Sequence, residues 1–372
     1  MSTTTVTDRV YNFSPGPAAL PLPVLEQIQS EMLSLPGCGA SILEISHRSK
    51  QFLAIRDAAK QRLRQLLRIG DEFEILFLQG GSRLQFSMVA MNLLRGSAVP
   101  AEYLITGSWS KSAHQEAVKE GPVRVTWDGK SENYRRLPRR DEWTIDPRAP
   151  YLYLTSNETI QGIQFQTDLD VGGVPVVCDA SSDFLWRPID MSRYGLLYAC
   201  AQKNAGPAGV TIVVIRKDLL DRSRDDLPGY MNYKNHAAED SLWNTPPTFA
   251  VYVVGLIAKW LLEDVGGLEQ MAARNRDKAH RLYEVIDGSD GFYRGHAAPA
   301  DRSMMNVTFR LPTEALEKEF VAEGARRQLD SLAGHRSVGG IRASIYNAMP
   351  IEGVEALRDF MLEFCRRRKG QG

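Results

Sequence analysis

One lysine and one aspartate carry the strongest chemical signal in this 372-residue chain. After Arg193, residues 194–202 hold no charge, and Lys203 follows within Ala201-Gln202-Lys203-Asn204-Ala205-Gly206-Pro207-Ala208-Gly209. Upstream, Asp179 closes the apolar run Val176-Val177-Cys178. Both apolar runs have the length and composition of buried strands. In an open α/β sheet, ligands bind in the crevice beyond the carboxyl ends of the strands, where both side chains would emerge. A lysine held against apolar surroundings loses its proton more readily, and the neutral amine is the form that condenses with an aldehyde. A carboxylate beside it meets the second requirement of pyridoxal phosphate, an acid that keeps the pyridine nitrogen protonated so that the ring accepts electrons. The residue types alone leave two other readings open: Lys203 as a surface lysine snorkelling from a loop, and Asp179 as an N-cap before Ala180-Ser181-Ser182.

A phosphate needs its own cradle. Gln79-Gly80-Gly81-Ser82-Arg83 directly follows an apolar run and opens a helical segment, so its backbone N–H groups, the helix dipole and the Ser82 hydroxyl would favour an anion. A plain tight turn between strand and helix explains the two glycines equally well. Other chemistries are absent. There is no GxGxxG and no GxxxxGK[ST]. Gly80-Gly81-Ser82-Arg83-Leu84 fails the last position of a GxSxG elbow. The six histidines (47, 114, 236, 280, 296, 335) make no HExxH or other ligand pair at helical spacing, so no metal site is expected.

The elements that must position these residues follow from hydrophobic period. Leu25, Ile28, Met32 and Leu35 predict one amphipathic helix, and Phe52, Ile55, Ala59, Leu63 and Leu66 a second over 50–67. Short apolar runs at 74–78, 103–106, 151–155, 174–178, 196–200 and 210–215 predict strands, several too evenly apolar for a half-exposed antiparallel sheet. With helices between them they predict an α/β domain built on a mostly parallel sheet. Residues 248–262 predict an apolar helix and 268–286 a charged one; beyond them the rhythm changes to strand, helix, strand, helix near 305–309, 313–323, 340–346 and 353 onward. The expected organisation is a large cofactor-binding α/β domain over 22–268 and a small α+β domain over 269–372, with residues 1–21 packing against the latter.

Composition narrows the function. Forty-five Lys and Arg balance 45 Asp and Glu, so no global basic field exists to recruit nucleic acid or an acidic membrane. Cys38, Cys178, Cys200 and Cys365 are dispersed, without CxxC spacing, which fits a reduced, cytoplasmic protein. Residues 1–11 carry Asp8 and Arg9 and no apolar core, unlike a signal peptide. The uncharged stretch 241–258 is interrupted by Asn244-Thr245-Pro246-Pro247 and does not read as a membrane span. The basic run Arg366-Arg367-Arg368-Lys369 reads as favourable charge at a helix C-terminus.

Six segments, in order along the chain from residue 12 to 348, strongly resemble the phosphoserine aminotransferases, a family of class V pyridoxal-phosphate-dependent aminotransferases. They are Asn12-Phe13-Ser14-Pro15-Gly16-Pro17-Ala18, Glu44-Ile45-Ser46-His47-Arg48-Ser49, Ser156-Asn157-Glu158-Thr159-Ile160, Ala201-Gln202-Lys203-Asn204, Trp243-Asn244-Thr245-Pro246-Pro247-Thr248, and the run Gly339-Gly340-Ile341-Arg342-Ala343-Ser344-Ile345-Tyr346-Asn347-Ala348. The resemblance implies a fold-type I transferase and a homodimer with shared active sites. It implies Lys203 as the catalytic lysine joined to the cofactor and Asp179 as the partner of the pyridine nitrogen. Trp109 would stack on the ring, although alone it reads as a core aromatic at a strand end. Ser82, Arg83, Thr159 and Gln202 match cofactor-binding positions, and Asn244 and Thr245 match a loop reaching the phosphate of the neighbouring subunit's cofactor.

The implied reaction is transamination of 3-phosphohydroxypyruvate with L-glutamate, by ping-pong kinetics, giving O-phospho-L-serine and 2-oxoglutarate; 4-phosphohydroxythreonine, a vitamin B6 precursor, is a further implied substrate. Substrates with a carboxylate and a phosphate need several fixed donors, which arginine supplies in bidentate form. His47, Arg48, His335, Arg336 and Arg342 match those positions, with Arg342 expected at the α-carboxylate and Arg83 assisting. Singly, each reads as a surface ion-pair residue. Gly81-Ser82-Arg83-Leu84 and Pro15 depart from the family's usual residues. The rivals are a class V lyase, such as a cysteine desulfurase, for which none of the four cysteines has a suitable loop context, and a non-catalytic phosphometabolite-binding protein, which would not need the Asp179–Lys203 pair.

Overall fold

Seven strands build the sheet that carries the site. They are β1 (Phe73–Leu78), β2 (Ala101–Ile105), β3 (Val123–Asp128), β4 (Leu152–Thr155), β5 (Val176–Asp179), β6 (Tyr194–Cys200) and β7 (Thr211–Arg216). The computed structural model describes residues 9–369, so the first eight residues of the expected N-terminal packing segment lie outside the described residues. Across the sheet the order is β1-β7-β6-β5-β4-β2-β3. All neighbours run parallel except β7, which is antiparallel to both β6 and β1.

Successive residues of these strands face opposite sides, and both sides are buried. Ile75, Phe77, Leu152, Leu154, Val176, Cys178, Leu197, Ala199, Ile212 and Val214 pack into one core with the helices Lys50–Leu67 and Thr248–Glu263. These two helices approach closely: a Cβ on Gly255 would stand 3.2 Å from the Cβ of Ala59. Leu76, Leu78, Tyr103, Tyr151, Tyr153, Val177, Leu196, Tyr198 and Val213 face the other core, under the helices Gly81–Leu93 and Ser108–Ala117. A sheet covered on both faces needs apolar residues at every position, which is why these strands read as continuous apolar runs.

A separate core gathers behind a smaller antiparallel sheet, ordered β8-β9-β10, of β8 (Arg294–Gly295), β9 (Asn306–Arg310) and β10 (Ile341–Ser344). It packs against the helices Leu268–Asp287, Glu314–Arg326 and Ile351–Lys369. Tyr11 and Asn12 pair in parallel with Leu329 and Asp330, and Phe13 is wholly buried in this third core. The helix Leu268–Asp287 joins the first core to the third: Leu268 and Met271 belong to the first, Leu282 and Ile286 to the third. Three of the four basic residues at the last helical turn are tied down, Arg367 to Glu323, Arg368 to Glu319 and Lys369 to Asp290.

Three elements differ from the sequence expectation. The first helix, Leu22–Glu31, stops short of Leu35. Pro36 disfavours helical geometry at Leu35, and Gly37 turns the chain with φ +72°. Leu35 still reaches the core, from a turn closed by its N–H on the Ala40 carbonyl. Strand β3 has no counterpart among the expected strands, because it is the sheet's partly exposed edge and carries Arg124 and Asp128 among its apolar residues. Strand β5 runs to Asp179 itself, so the aspartate is the last residue of the strand. No helix of the described residues is long and apolar enough to cross a membrane.

Candidate active site

Asp179 is held inside the sheet, opposite Thr155 of β4 and Tyr198 of β6, and is only 3% exposed. Its Oδ1 accepts the Ser181 N–H at 2.9 Å, so it does cap the following turn, but it is also a buried acid at a strand end. Burial pushes its carboxyl above the ordinary range, while Ser181, Lys203 and Tyr198 pull it back. Lys203 lies in the turn between β6 and β7, half-buried. Its Nζ donates to Thr159 Oγ1 at 2.7 Å and stands 5.4 Å from the centre of the Trp109 ring. A Cβ on Gly16, whose φ is +137°, would sit 3.2 Å from Lys203 Cγ, so the 14–17 loop lies against the lysine stem. The lysine is therefore walled in, not snorkelling from a surface loop.

Trp109 is fixed by an acid to which sequence reasoning assigned no role. Glu158 is fully buried, and its carboxylate accepts the Trp109 N–H (2.9 Å), the Ser110 N–H (2.9 Å) and the Ser110 hydroxyl (2.7 Å). It thereby neutralises the N-terminus of the helix Ser108–Ala117. Burial pushes Glu158 up, and Ser110 and the Trp109 N–H pull it down. Position 107 must be glycine, because a Cβ there would meet Glu158 Cδ at 2.5 Å. Only the Gly-Ser-Trp-Ser sequence hinted at this close approach. The Trp109 indole Nε1 is buried without a partner among the described residues, and the Arg83 guanidinium stands 5.8 Å from its ring.

The cradle is a left-handed turn feeding a helix N-terminus. Gly80 and Gly81 have φ of +87° and +63°, which glycine adopts without steric cost. Ser82 Oγ lies 2.6 Å from Ser181 Oγ and donates to Cys200 Sγ at 3.3 Å, tying the cradle to the segment after Asp179 and to the end of β6. Arg83 is exposed. Asn244 donates to Gln79 Oε1 of its own chain at 2.9 Å, at the edge of the cradle, and Thr245 is exposed beside it. Gln202 accepts the Ala18 N–H through its carbonyl at 2.9 Å. The unusual Pro15 contributes its carbonyl, which accepts the Tyr346 hydroxyl at 2.9 Å.

Arg342, on β10 opposite Thr308, is the outlier in charge. It is 7% exposed, forms no ion pair among the described residues, and its Nε is buried without a partner. Burial pushes its pKa below the ordinary value. A guanidinium taken out of water without a counter-ion is costly, so the geometry wants an anion. With Gln161, Thr308 and His335 it lines a cavity of about 400 Å³. His335 sits in the 334–340 loop, its Nδ1 2.7 Å from Ser337 Oγ; burial, then Arg342, then Arg336 push its pKa down. Arg336 is exposed.

Thus Lys203, Thr159, Trp109, Arg83, Asp179 and Ser82 come together through direct or one-step contacts, and His335 lines a cavity with Arg342. His47 and Arg48 stand apart: His47 is half-buried, Arg48 is exposed with its N–H on Ser46 Oγ, and no hydrogen bond, ion pair or ring contact among the described residues links either to Lys203, Asp179 or Arg342. A helix N-terminus for a phosphate, an unpaired indole for a ring face, a buried acid for a cationic nitrogen and a lysine beside them fit pyridoxal phosphate. Among the described residues no group of three His, Cys, Asp or Glu could hold a metal ion.

That sheet, with an acid and a lysine at adjoining strand ends, defines a transferase of the aminotransferase type. The sequence pattern described as aminotransferase class-V matches residues 10–357, and the chain belongs to that family. It is 55% identical to the phosphoserine aminotransferase of Rhodopirellula baltica, over 97% of this chain and 96% of that protein. The crystal structure of phosphoserine aminotransferase from Bacillus circulans subsp. alkalophilus is 47% identical with a TM-score of 0.95, covering 97% of this chain and all of that one (100%). A pyridoxal-phosphate-bound phosphoserine aminotransferase from Trichomonas vaginalis is 41% identical with a TM-score of 0.90, covering 95% and 100% of the two chains.

Proposed function

We propose that this chain is a pyridoxal-phosphate-dependent phosphoserine aminotransferase of serine biosynthesis, interconverting 3-phosphohydroxypyruvate and L-glutamate with O-phospho-L-serine and 2-oxoglutarate. The observation that carries the reading is the pairing of the Asp179–Lys203 pole with a buried Arg342 that has no counter-ion among the described residues, together with the identity to phosphoserine aminotransferases over nearly the full chain. The domain division proposed is 22–268 and 269–372, with residues 1–21 on the smaller part, and the cytoplasm is the proposed location.

Pyridoxal phosphate, when bound, supplies an electron sink for the substrate's α-carbon. Lys203 would hold it covalently, and Asp179, Trp109, Ser82, Arg83, Thr159 and Gln202 would contact it. Once the substrate's amino group has displaced it, Lys203 would also be the base: its Nζ, oriented by Thr159, would accept the substrate's α-proton and carry it through the transfer. Asp179, a buried acid that burial makes favour a cationic partner, would serve the ring nitrogen. Trp109, immobilised through Glu158, gives the ring a fixed apolar face. The first N–H groups of the helix Gly81–Leu93 and the Ser82 hydroxyl suit a phosphate. Arg342 takes the α-carboxylate in bidentate form. His335 and Arg336, with His47 and Arg48, take the distal phosphate or the glutamate side-chain carboxylate.

The proposed homodimer completes the site, with Asn244, Thr245, His47 and Arg48 acting across the subunit boundary. The isolation of His47 and Arg48 from the pocket of their own chain supports this assignment. Mixed dimers of a Lys203→Ala chain and an Arg48→Ala chain should regain close to half of wild-type activity, since one of the two sites then carries neither change. Mixed dimers no better than the parents would place Arg48 in cis. The reaction itself is tested by steady-state assay of O-phospho-L-serine and 4-phosphohydroxythreonine as amino donors to 2-oxoglutarate. Turnover of phosphoserine with ping-pong kinetics is expected, and release of sulfur from cysteine without amino transfer would overturn the reading.

A further inference from the structure

One buried ammonium and three amides join the segments that follow Asp179, Lys203 and Arg342, and the chemistry above uses none of them. Lys278, on the helix Leu268–Asp287, is 3% exposed. Its Nζ donates to the carbonyls of Tyr346 (2.7 Å), Ile345 (2.9 Å) and Met349 (3.1 Å), with that of Asn347 at 3.5 Å. Those carbonyls form the turn between β10, which carries Arg342, and the C-terminal helix. One turn earlier on the same helix, Asn275 donates to Asn347 Oδ1 at 2.8 Å and to the Trp186 carbonyl at 3.2 Å. Asn347 in turn donates its side chain to the Leu185 carbonyl (2.9 Å) and its backbone N–H to Asn204 Oδ1 (2.8 Å). Asn204, next to Lys203, donates to the Phe184 carbonyl at 2.7 Å.

The junction therefore touches the segment after Asp179, the turn of Lys203 and the turn after Arg342. Leu185 within it has φ +62°, a strained value for a leucine that persists only where surrounding contacts over-determine it. Lys278 forms no ion pair among the described residues. Burial, then Arg274, push its pKa down to about 7, and the carbonyl oxygens oppose that loss of charge. A buried ammonium costs more than a methionine of similar length, unless its three donors gather carbonyls that nothing else would hold.

We infer that Lys278 is a positioning residue: through Asn347 and Asn204 it sets the separation between the carboxylate-binding Arg342 and the proton-transferring Lys203. The inference rests on the transaminase reading, since those two groups must grip and deprotonate one substrate. A displacement of about 1 Å between them costs on the order of 100-fold in rate.

The test uses the holoenzymes of Lys278→Met and Asn204→Ala, each compared with wild type by melting temperature, cofactor affinity, kcat and KM for glutamate, and calorimetric affinity for 2-oxoglutarate. Both variants should keep cofactor affinity while kcat/KM falls, by on the order of 100-fold in Lys278→Met and less in Asn204→Ala. Lower melting temperatures with unchanged kcat, KM and 2-oxoglutarate affinity would make the junction purely structural and overturn the inference. If Lys278→Met does not fold, Asn204→Ala, which removes one link, decides alone. A wild-type enzyme inactive with glutamate and without affinity for 2-oxoglutarate would sink the functional reading instead.

Discussion

The two poles of the site are built on opposite principles. Around Asp179 and Lys203, the buried charged groups have partners within the chain: Thr159 on Lys203, Ser181 on Asp179, the Ser110 and Trp109 backbone donors on Glu158. Around Arg342 the reverse holds, with a buried guanidinium left without a counter-ion among the described residues and flanked by an exposed glycine-rich loop. The cofactor pole is pre-organised because its residues end neighbouring strands of one sheet, whose register is set by the core. The proposed substrate pole comes from the core behind the smaller sheet, and a bound anion would balance its charge.

The largest consequence falls on the first pole. Lys203→Ala should lose covalent attachment of the cofactor and about 10⁴-fold or more of transamination. Visible absorbance and borohydride trapping measure this, and an intact trappable adduct in the variant would refute the role of Lys203. At the second pole, Arg342→Met should lower substrate affinity by on the order of 100-fold, about 3 kcal/mol. Its substrate-free form should nevertheless melt no lower than wild type, because an uncompensated buried charge has been removed. A variant that melts much lower would show that Arg342 is already satisfied, which erases the contrast between the poles.

A smaller effect sharpens the first pole from its acid side. Asp183 is buried, accepts from Ser156 and Gln164, and burial raises its pKa to about 6. For an acid raised in the folded state, the folded protein binds more protons than the unfolded chain between the ordinary carboxylate value and about pH 6. The protonated form's stability is thus fully present below that ordinary value and is lost as pH rises through about 6. Asp183→Asn should therefore gain on wild type across that window, up to about 3 kcal/mol at 1.36 kcal/mol per unit, and hold a constant difference above it. Denaturant melts between pH 4 and 8 check this; a gap independent of pH would mean Asp183 is not protonated in the fold.

Much of this was legible from residue order. Short continuous apolar runs located the central strands and period-3.6 patterns most helices, because a strand covered on both faces is apolar throughout and a helix buried on one face repeats its apolar residues at its own period. The aspartate and lysine stood out because a charge at the end of an apolar run has few structural uses. The edge strand β3 was hidden, since a half-solvated edge needs no apolar continuity. Glu158 was quoted only as part of a motif, and its partners Trp109 and Ser110 lie some fifty positions away in sequence.

By itself, then, the sequence determined the local elements, the candidate acid and base, and the family, all of which depend on residue type and near-neighbour spacing. Only the tertiary structure decided that Arg342 is buried without a counter-ion among the described residues, that Glu158 anchors Trp109, and that Lys278 and three amides join the turns behind the site. Those facts are contacts between residues distant in the chain, and distance in the chain leaves no periodic trace.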